Sequence, residues 1–204
     1  MPPVRVKVCG ITNVDDALAA VAAGAAALGF NFYAGSPRYV PPDAAAKIVQ
    51  LVPPSICTVG VFVDTPRERV AAIAAQVGVT GLQFHGNESA AYCLGWTQKV
   101  IKAIRVGDRH AVETARLYAV DFILADAYVN GQFGGTGRRV VPQLLEGFDR
   151  DRLILAGGLT PENVADAVRA VRPFAVDVAS GIERAPGKKD WNLMKRFIAY
   201  AQAA

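Results

Sequence analysis

Along this chain, short apolar segments alternate with stretches of helical period from one end to the other. In the first segment Val4, Val6 and Val8 alternate with Arg5, Lys7 and Cys9, so a strand there turns the two sets to opposite faces. The valines are ready to bury against helices, which leaves Lys7 and Cys9 on the other side. Further strands are expected at 26–30, 57–63, 81–85, 100–104, 121–126, 153–156 and 175–179. Between them, apolar residues recur at three- and four-residue steps: Val14, Leu18 and Val21; Val70, Ile73 and Val77; Val164, Val168 and Val171. Thr65-Pro66-Arg67-Glu68 reads as a capping box, with an N-cap threonine, a proline at the first helical position and a reciprocating glutamate. Thr160-Pro161-Glu162 is expected to open a second helix in the same style, and Asn13 with Asp16 a third. A closing helix is expected over 191–200, with Leu193, Phe197 and Tyr200 on one face.

Eight strands each followed by a helix predict an α/β protein whose parallel sheet closes as a (β/α)8 TIM barrel. Predicted strand starts are spaced about 22, 31 and 24 residues in the first half and about 21, 32 and 22 in the second, a pattern that two half-barrels would produce. An open doubly wound sheet is the competing architecture, disfavoured because no GxGxxG follows the first strand and because the count reaches eight. No linker interrupts the pattern, so residues 1–204 are expected to form a single domain.

Composition narrows the functional classes. Apolar residues make up 52% of the 204, which excludes disorder. The longest apolar run, 17–30, falls short of the roughly 20 residues of a membrane helix and is expected to be a buried helix running into a strand. The net charge of +4 is scattered: Arg138-Arg139 and Lys188-Lys189 are too small a footprint for nucleic acid, and no aromatic residues interleave with them. Cys9, Cys57 and Cys93 are odd in number and lack metal spacing, and the first residues lack the regions of a signal peptide. A reduced, cytoplasmic protein with neither nucleic acid nor membrane as partner is expected.

Ligands of parallel α/β barrels bind at the carboxyl ends of the strands, and the unusual chemistry of this sequence lies there. Cys9 ends the first strand; it is either a small buried hydrophobe or a reactive thiol. Arg38 follows the second, between Pro37 and Tyr39, as a fork for a carboxylate or as a cation snorkelling over the rim. Gln83 and His85 share a face at the end of the fourth, where His85 is either structural or functional. Asp126 ends the sixth, ahead of the glycine-rich 129–137 stretch. Gly157-Gly158 follows the seventh strand and Ser180-Gly181 the eighth, the two places where this fold usually binds phosphate. A thiol and a carboxylate at separate strand ends with a phosphate anchor suggest isomerisation of a sugar phosphate by proton transfer. Lys7 is a candidate to activate the thiol, and Asp177 to pair with Lys7.

With these residues in place, the chain resembles the phosphoribosylanthranilate isomerase family essentially from end to end. The likeness rests on Lys7-Val8-Cys9-Gly10-Ile11-Thr12, Ser36-Pro37-Arg38-Tyr39-Val40, Val59-Gly60-Val61-Phe62-Val63 and Leu82-Gln83-Phe84-His85-Gly86. It continues through Asp126, Gly134-Gly135-Thr136-Gly137, Leu155 to Asn163, Val176 to Gly181 and Gly187-Lys188-Lys189-Asp190. The resemblance implies an Amadori rearrangement of phosphoribosylanthranilate in tryptophan biosynthesis, with Asp126 as general acid and Cys9 as general base. It implies Arg38 on the anthranilate carboxylate, the turns at Gly157, Gly158, Ser180 and Gly181 on the phosphate, and supporting roles for His85 and Asp177. Neither metal nor organic cofactor is implied, and the assembly expected is a monomer or a homodimer.

Two departures stand out: Ala34-Gly35 replaces a Pro-Lys pair before the Ser-Pro-Arg motif, and Arg138-Arg139-Val140-Val141-Pro142 stands in place of a Phe-Asp-Trp segment. The related barrel isomerase that serves both histidine and tryptophan intermediates resembles this chain less, because an aspartate ends its first strand. A non-catalytic barrel that binds a phosphorylated ligand is the alternative of another class.

Overall fold

The computed structural model describes residues 3–108, 110–126 and 145–204. Eight parallel strands close into a barrel in sequence order: β1 (Arg5–Cys9), β2 (Ala27–Asn31), β3 (Cys57–Phe62), β4 (Gly81–Phe84), β5 (Lys99–Arg105), β6 (Phe122–Asp126), β7 (Leu153–Ala156) and β8 (Ala175–Val178). Closure comes from β1 pairing with β8, Lys7 opposite Asp177. Each strand lies within about one residue of its expected bounds, as runs marked by turn residues at both ends should. Helices α1 (Val14–Ala22), α2 (Pro42–Val49), α3 (Arg67–Val77), α4 (His110–Arg116), α5 (Val164–Val171) and α6 (Trp191–Gln202) surround it.

Alternation along the strands sorts the side chains into two compartments. Val6, Val8, Leu28, Phe30, Phe62, Leu82 and Phe84 face outward and pack with the helices in a continuous apolar layer. Val59, Ile101, Ala103, Leu124, Ile154, Ala156 and Ala175 fill the barrel interior. Above this plug the interior carries Lys7, Gln83 and Asp177, all buried. The 17–30 run is α1 leading into β2, as expected.

Several local expectations are corrected. The capping box at Thr65 does not form: the Thr65 hydroxyl donates to the Val63 carbonyl, and α3 begins after Pro66 without a side-chain cap. The regular helix after Thr160 starts only at Val164, because Asn163 turns its side-chain oxygen to the Thr160 N–H and its amide to the Gly158 carbonyl. Asn13 caps α1 as predicted, accepting from the Asp16 N–H. Helix α6 buries Met194, Phe197, Ile198 and Ala201 rather than a face through Tyr200, which is exposed. No regular helix follows β4; turns there bury Cys93 and set Tyr92 and Trp96 against Phe84. Local chemistry promised a helix per strand, but the short connection from β4 to β5 covers the sheet with aromatic rings instead.

Candidate active site

The inward side of β1 carries Lys7 and Cys9 into the barrel, with Cys9 at the carboxyl end. Gly29 on β2 lies directly beside Cys9 in register. A Cβ on Gly29 would stand 2.7 Å from the Cys9 Sγ and 3.0 Å from the Lys7 Nζ, so the thiol and ammonium occupy space that only glycine leaves open. Lys7 is 2% exposed and donates to the Asp177 Oδ1 at 2.8 Å. Burial opposes its charge, but the Asp177 carboxylate and the neighbouring Cys9 outweigh it and hold the ammonium above the usual lysine range. Asp177 therefore sits in a buried ion pair, the structural partner that the sequence allowed for.

Asp126 ends β6 and lies three strands from Cys9 around the ring, with β7 and β8 between them. His85, just after β4, brings its Nε2 to 3.7 Å from the Asp126 Oδ2. Its Nδ1 lies 3.0 Å from the Gln83 Nε2. Gln83 is 1% exposed, and among the described residues its Oε1 has no hydrogen-bond partner.

Between the carboxylate and the thiol come the glycine turns. Gly157 and Gly158 follow β7 with φ of 93° and 61°, left-handed backbone in which other residues are strained. Ser180 and Gly181 open a single 3₁₀ turn after β8, whose first N–H groups have no partner within the turn. A Cβ on Gly181 would overlap the Leu159 carbonyl oxygen, so the two loops touch backbone to backbone. The sequence signal for all four residues was position after a strand, and the structure brings them to one sector of the rim.

Arg38 lies with its stem across Gly10, where a Cβ would come within 2.6 Å of the Arg38 Cδ. Its loop is tied down by Ser36, whose hydroxyl oxygen accepts from the Arg38 N–H and from the Asn31 amide. The guanidinium is not unaccompanied. Its Nε donates to both oxygens of Glu183, at 2.9 and 3.1 Å, and its Nη2 to Oε2 at 2.7 Å. Glu183 begins the small antiparallel hairpin of β9 (Glu183–Ala185) and β10 (Lys188–Lys189). From β10 the Lys189 Nζ reaches the Glu183 Oε1 at 2.9 Å, the Cys9 carbonyl at 2.6 Å and the Ala179 carbonyl at 3.2 Å. Burial works to raise the Glu183 pKa, yet hydrogen bonds and charge from Arg38 and Lys189 carry it below the usual carboxylate value. Burial pulls Lys189 the other way, below the usual lysine value, and Glu183 only partly offsets this.

Sequence reasoning missed Glu183, Lys189 and Gly29 as parts of the site. Lys189 lay inside the Gly187-Lys188-Lys189-Asp190 motif and Glu183 two residues past Ser180-Gly181, so closeness to those motifs was a usable signal. Gly29 had none, because only strand register sets it beside Cys9. Of the two departures, Gly35 is covered by the Tyr33 ring, 2.8 Å from where its Cβ would stand. The 129–137 stretch and the 138–142 segment lie outside the described residues. Among the described residues there is no cluster of metal-ligating side chains and no helix long and apolar enough to cross a membrane.

Comparison with known proteins gives the same answer over almost the whole chain. Residues 6–200 match the family model for N-(5'-phosphoribosyl)anthranilate (PRA) isomerase. A relative from Thiobacillus denitrificans, named N-(5'-phosphoribosyl)anthranilate isomerase, is 51% identical over 203 residues, covering 98% of this chain and 99% of the relative. The crystal structure of phosphoribosyl anthranilate isomerase from Thermotoga maritima superimposes with a TM-score of 0.91 at 42% identity, covering 98% of this chain and all of that one. A phosphoribosyl anthranilate isomerase solved in complex with reduced 1-(o-carboxyphenylamino)-1-deoxyribulose 5-phosphate gives 0.85 at 41% identity, again over 98% and 100% of the two chains. The chain, a closed eight-stranded barrel with these residues at its strand ends, belongs to the N-(5'-phosphoribosyl)anthranilate isomerase family.

Proposed function

We propose that Cys9 and Asp126 are the general base and general acid with which this barrel isomerises N-(5'-phosphoribosyl)anthranilate, the reaction of its family in tryptophan biosynthesis. The observation that carries the assignment is the cleared space at Gly29, which lets a strand-end thiol and a buried lysine lie side by side inside the barrel. Asp126 protonates the ribose ring oxygen, the C1′–O bond breaks, and the nitrogen lone pair forms the Schiff base. Cys9, as thiolate, then takes the C2′ proton to leave an enolamine, which tautomerises to 1-(2-carboxyphenylamino)-1-deoxyribulose 5-phosphate. The Lys7 ammonium lies beside the Cys9 thiol, and Asp177 holds Lys7 in place. His85 faces the Asp126 carboxylate on the opposite flank from β7.

The substrate phosphate is bound by backbone N–H groups at Gly157, Gly158, Ser180 and Gly181, and its ring carboxylate by Arg38. This places the sugar between the acid and the base. The intermediates need only proton transfers, so the reaction calls for no cofactor. The enzyme works in the cytoplasm as a monomer or a homodimer, two assemblies that sedimentation separates.

The experiment generates phosphoribosylanthranilate in place and follows the loss of its anthranilate fluorescence. Turnover by the intact chain, with collapse in Cys9→Ser and Asp126→Asn, is the expected result. Turnover that survives both substitutions overturns the acid–base assignment. A folded chain that binds the phosphorylated sugar without converting it would instead be the non-catalytic barrel.

A further inference from the structure

If Arg38 holds the ring carboxylate, on which the following rests, then its contact with Glu183 raises a difficulty of charge. A carboxylate of the protein already sits on the cation meant for a carboxylate of the substrate. The geometry resolves it. Guanidinium has five N–H donors, and Glu183 accepts from Nε and from one N–H of Nη2. Among the described residues both N–H groups of Nη1 and the second of Nη2 remain, and one from each nitrogen forms the end-on fork that binds a carboxylate with two parallel hydrogen bonds. Exposure agrees: the Arg38 side chain is 24% exposed while that of Glu183 is 5%, so the engaged edge is the buried one.

Lys189 answers for the charge. Its Nζ lies within hydrogen-bond distance of three acceptors, the Glu183 carboxylate and the carbonyls of Cys9 and Ala179. An ammonium has three N–H groups for three acceptors, whereas a neutral amine has two. Arg38, Glu183 and Lys189 together therefore carry one net positive charge, the charge needed to receive one carboxylate. The Gly187 N–H also points to Glu183 Oε1, at 3.3 Å, so the hairpin turn helps to hold that oxygen.

We propose that Glu183 is a positioning and specificity residue for the substrate's ring carboxylate: it fixes the Nε–Nη2 edge of Arg38, so that the Nη1–Nη2 end faces the ligand, while Lys189 restores the charge that Glu183 removes. The same lysine bonds the Cys9 carbonyl, so the carboxylate-binding arginine and the thiol-bearing strand end are tied to one buried centre. The residue acts through Arg38 and does not touch the reacting atoms.

The test measures binding of two probes: reduced 1-(o-carboxyphenylamino)-1-deoxyribulose 5-phosphate, and the corresponding phenylamino compound without the ring carboxylate. The variants are Glu183→Gln, Arg38→Ala and the two combined, with melting curves to confirm folding. Glu183→Gln should weaken the carboxylated probe by about 10-fold, the scale of one charge-assisted hydrogen bond, and leave the other probe unchanged. In the Arg38→Ala background the same substitution should have no further effect, because residues that act as a unit are not additive. Equal weakening of both probes by Glu183→Gln, or a full effect without Arg38, overturns the inference and leaves the Arg38 reading intact. If Arg38→Ala itself does not distinguish the probes, the carboxylate reading falls, and this inference with it. Should Glu183→Gln not fold, Glu183→Asp keeps the charge but shortens the reach, and is expected to show the same selective loss.

Discussion

Cys9 and Cys93 are both buried cysteines with a buried lysine for a neighbour, and they lie on opposite sides of the same sheet. Lys7 and Cys9 are inside the barrel at its open end, where Asp177 is the lysine's partner. Lys102 points outward from β5 into the helical layer, where it donates to the Glu88 carboxylate and to the carbonyls of Phe84 and Gly86. Glu88 in turn accepts from the N–H groups of Asp64 and Gly86, so that pair ties together the loops after β3 and β4. Burial pushes the Cys93 thiol up to about 11; Lys102 pulls it down, and Glu88 opposes that pull. The difference teaches that a cation beside a thiol is not in itself a reactive site. What separates the two is the side of the sheet on which each lies, since one side opens to the barrel mouth and the other is sealed by apolar packing.

The strongest way to break the comparison is to exchange the two thiols for hydroxyls. Cys9→Ser and Asp126→Asn should each lower turnover by roughly 10²–10⁴-fold, while Cys93→Ser leaves it unchanged. Equal losses at the two cysteines, in the fluorescence assay, would show that position at the strand end does not decide reactivity.

Next in size is the structural pair. Lys102→Met leaves the Glu88 carboxylate buried without its cation and should cost about 3–5 kcal/mol in urea unfolding. The folded fraction should retain more turnover than Cys9→Ser does. An unchanged midpoint would remove the Lys102–Glu88 pair from the scaffold.

A smaller effect tests the cleared space. Gly29→Ala forces a methyl group against the Cys9 Sγ and should cost about 1–3 kcal/mol while also lowering turnover. Gly81→Ala is the control, because its Cβ would meet Val59 Cγ2 at an ordinary 3.4 Å, and activity should persist. Loss of turnover at both glycines alike would argue for a general effect on the barrel.

The smallest effect is the pH dependence carried by Cys93. Its folded pKa of about 11 lies above the ordinary 9.0, so the native state keeps a proton that the unfolded chain loses first. Its contribution to stability is therefore complete below pH 9.0 and is lost as the pH rises through about 11. The difference in unfolding free energy between the intact chain and Cys93→Ser should be flat below that window and fall across it. A difference that stays flat throughout would contradict the raised value.

The barrel was legible because each strand is a short apolar run bounded by turn residues, and because alternation in the first of them already separated Lys7 and Cys9 from three valines. Strand-end position then singled out Asp126, Arg38 and the glycine turns, since the fold assigns its open end to ligands. Helix boundaries were less legible. The Thr65 hydroxyl bonds the nearby Val63 carbonyl in place of the cap its spacing suggested, and the helix expected to open at Thr160 is delayed by the loop hydrogen bonds of Asn163. The connection after β4 carries no regular helix, because aromatic packing against Phe84 covers the sheet without one.

Periodicity and turn chemistry, both local properties, thus determined the class of fold, the order of the strands and the level at which the chemistry lies. Tertiary structure decided the partners, of which only the Lys7–Asp177 pair was expected from the sequence. Lys7 meets Asp177 across 170 positions of sequence, Arg38 meets Glu183 across 145, and Lys189 reaches the Cys9 carbonyl across 180. Gly29 clears room for a thiol that lies on another strand. Such pairings come from barrel closure and strand register, which bring together residues that no window along the chain contains.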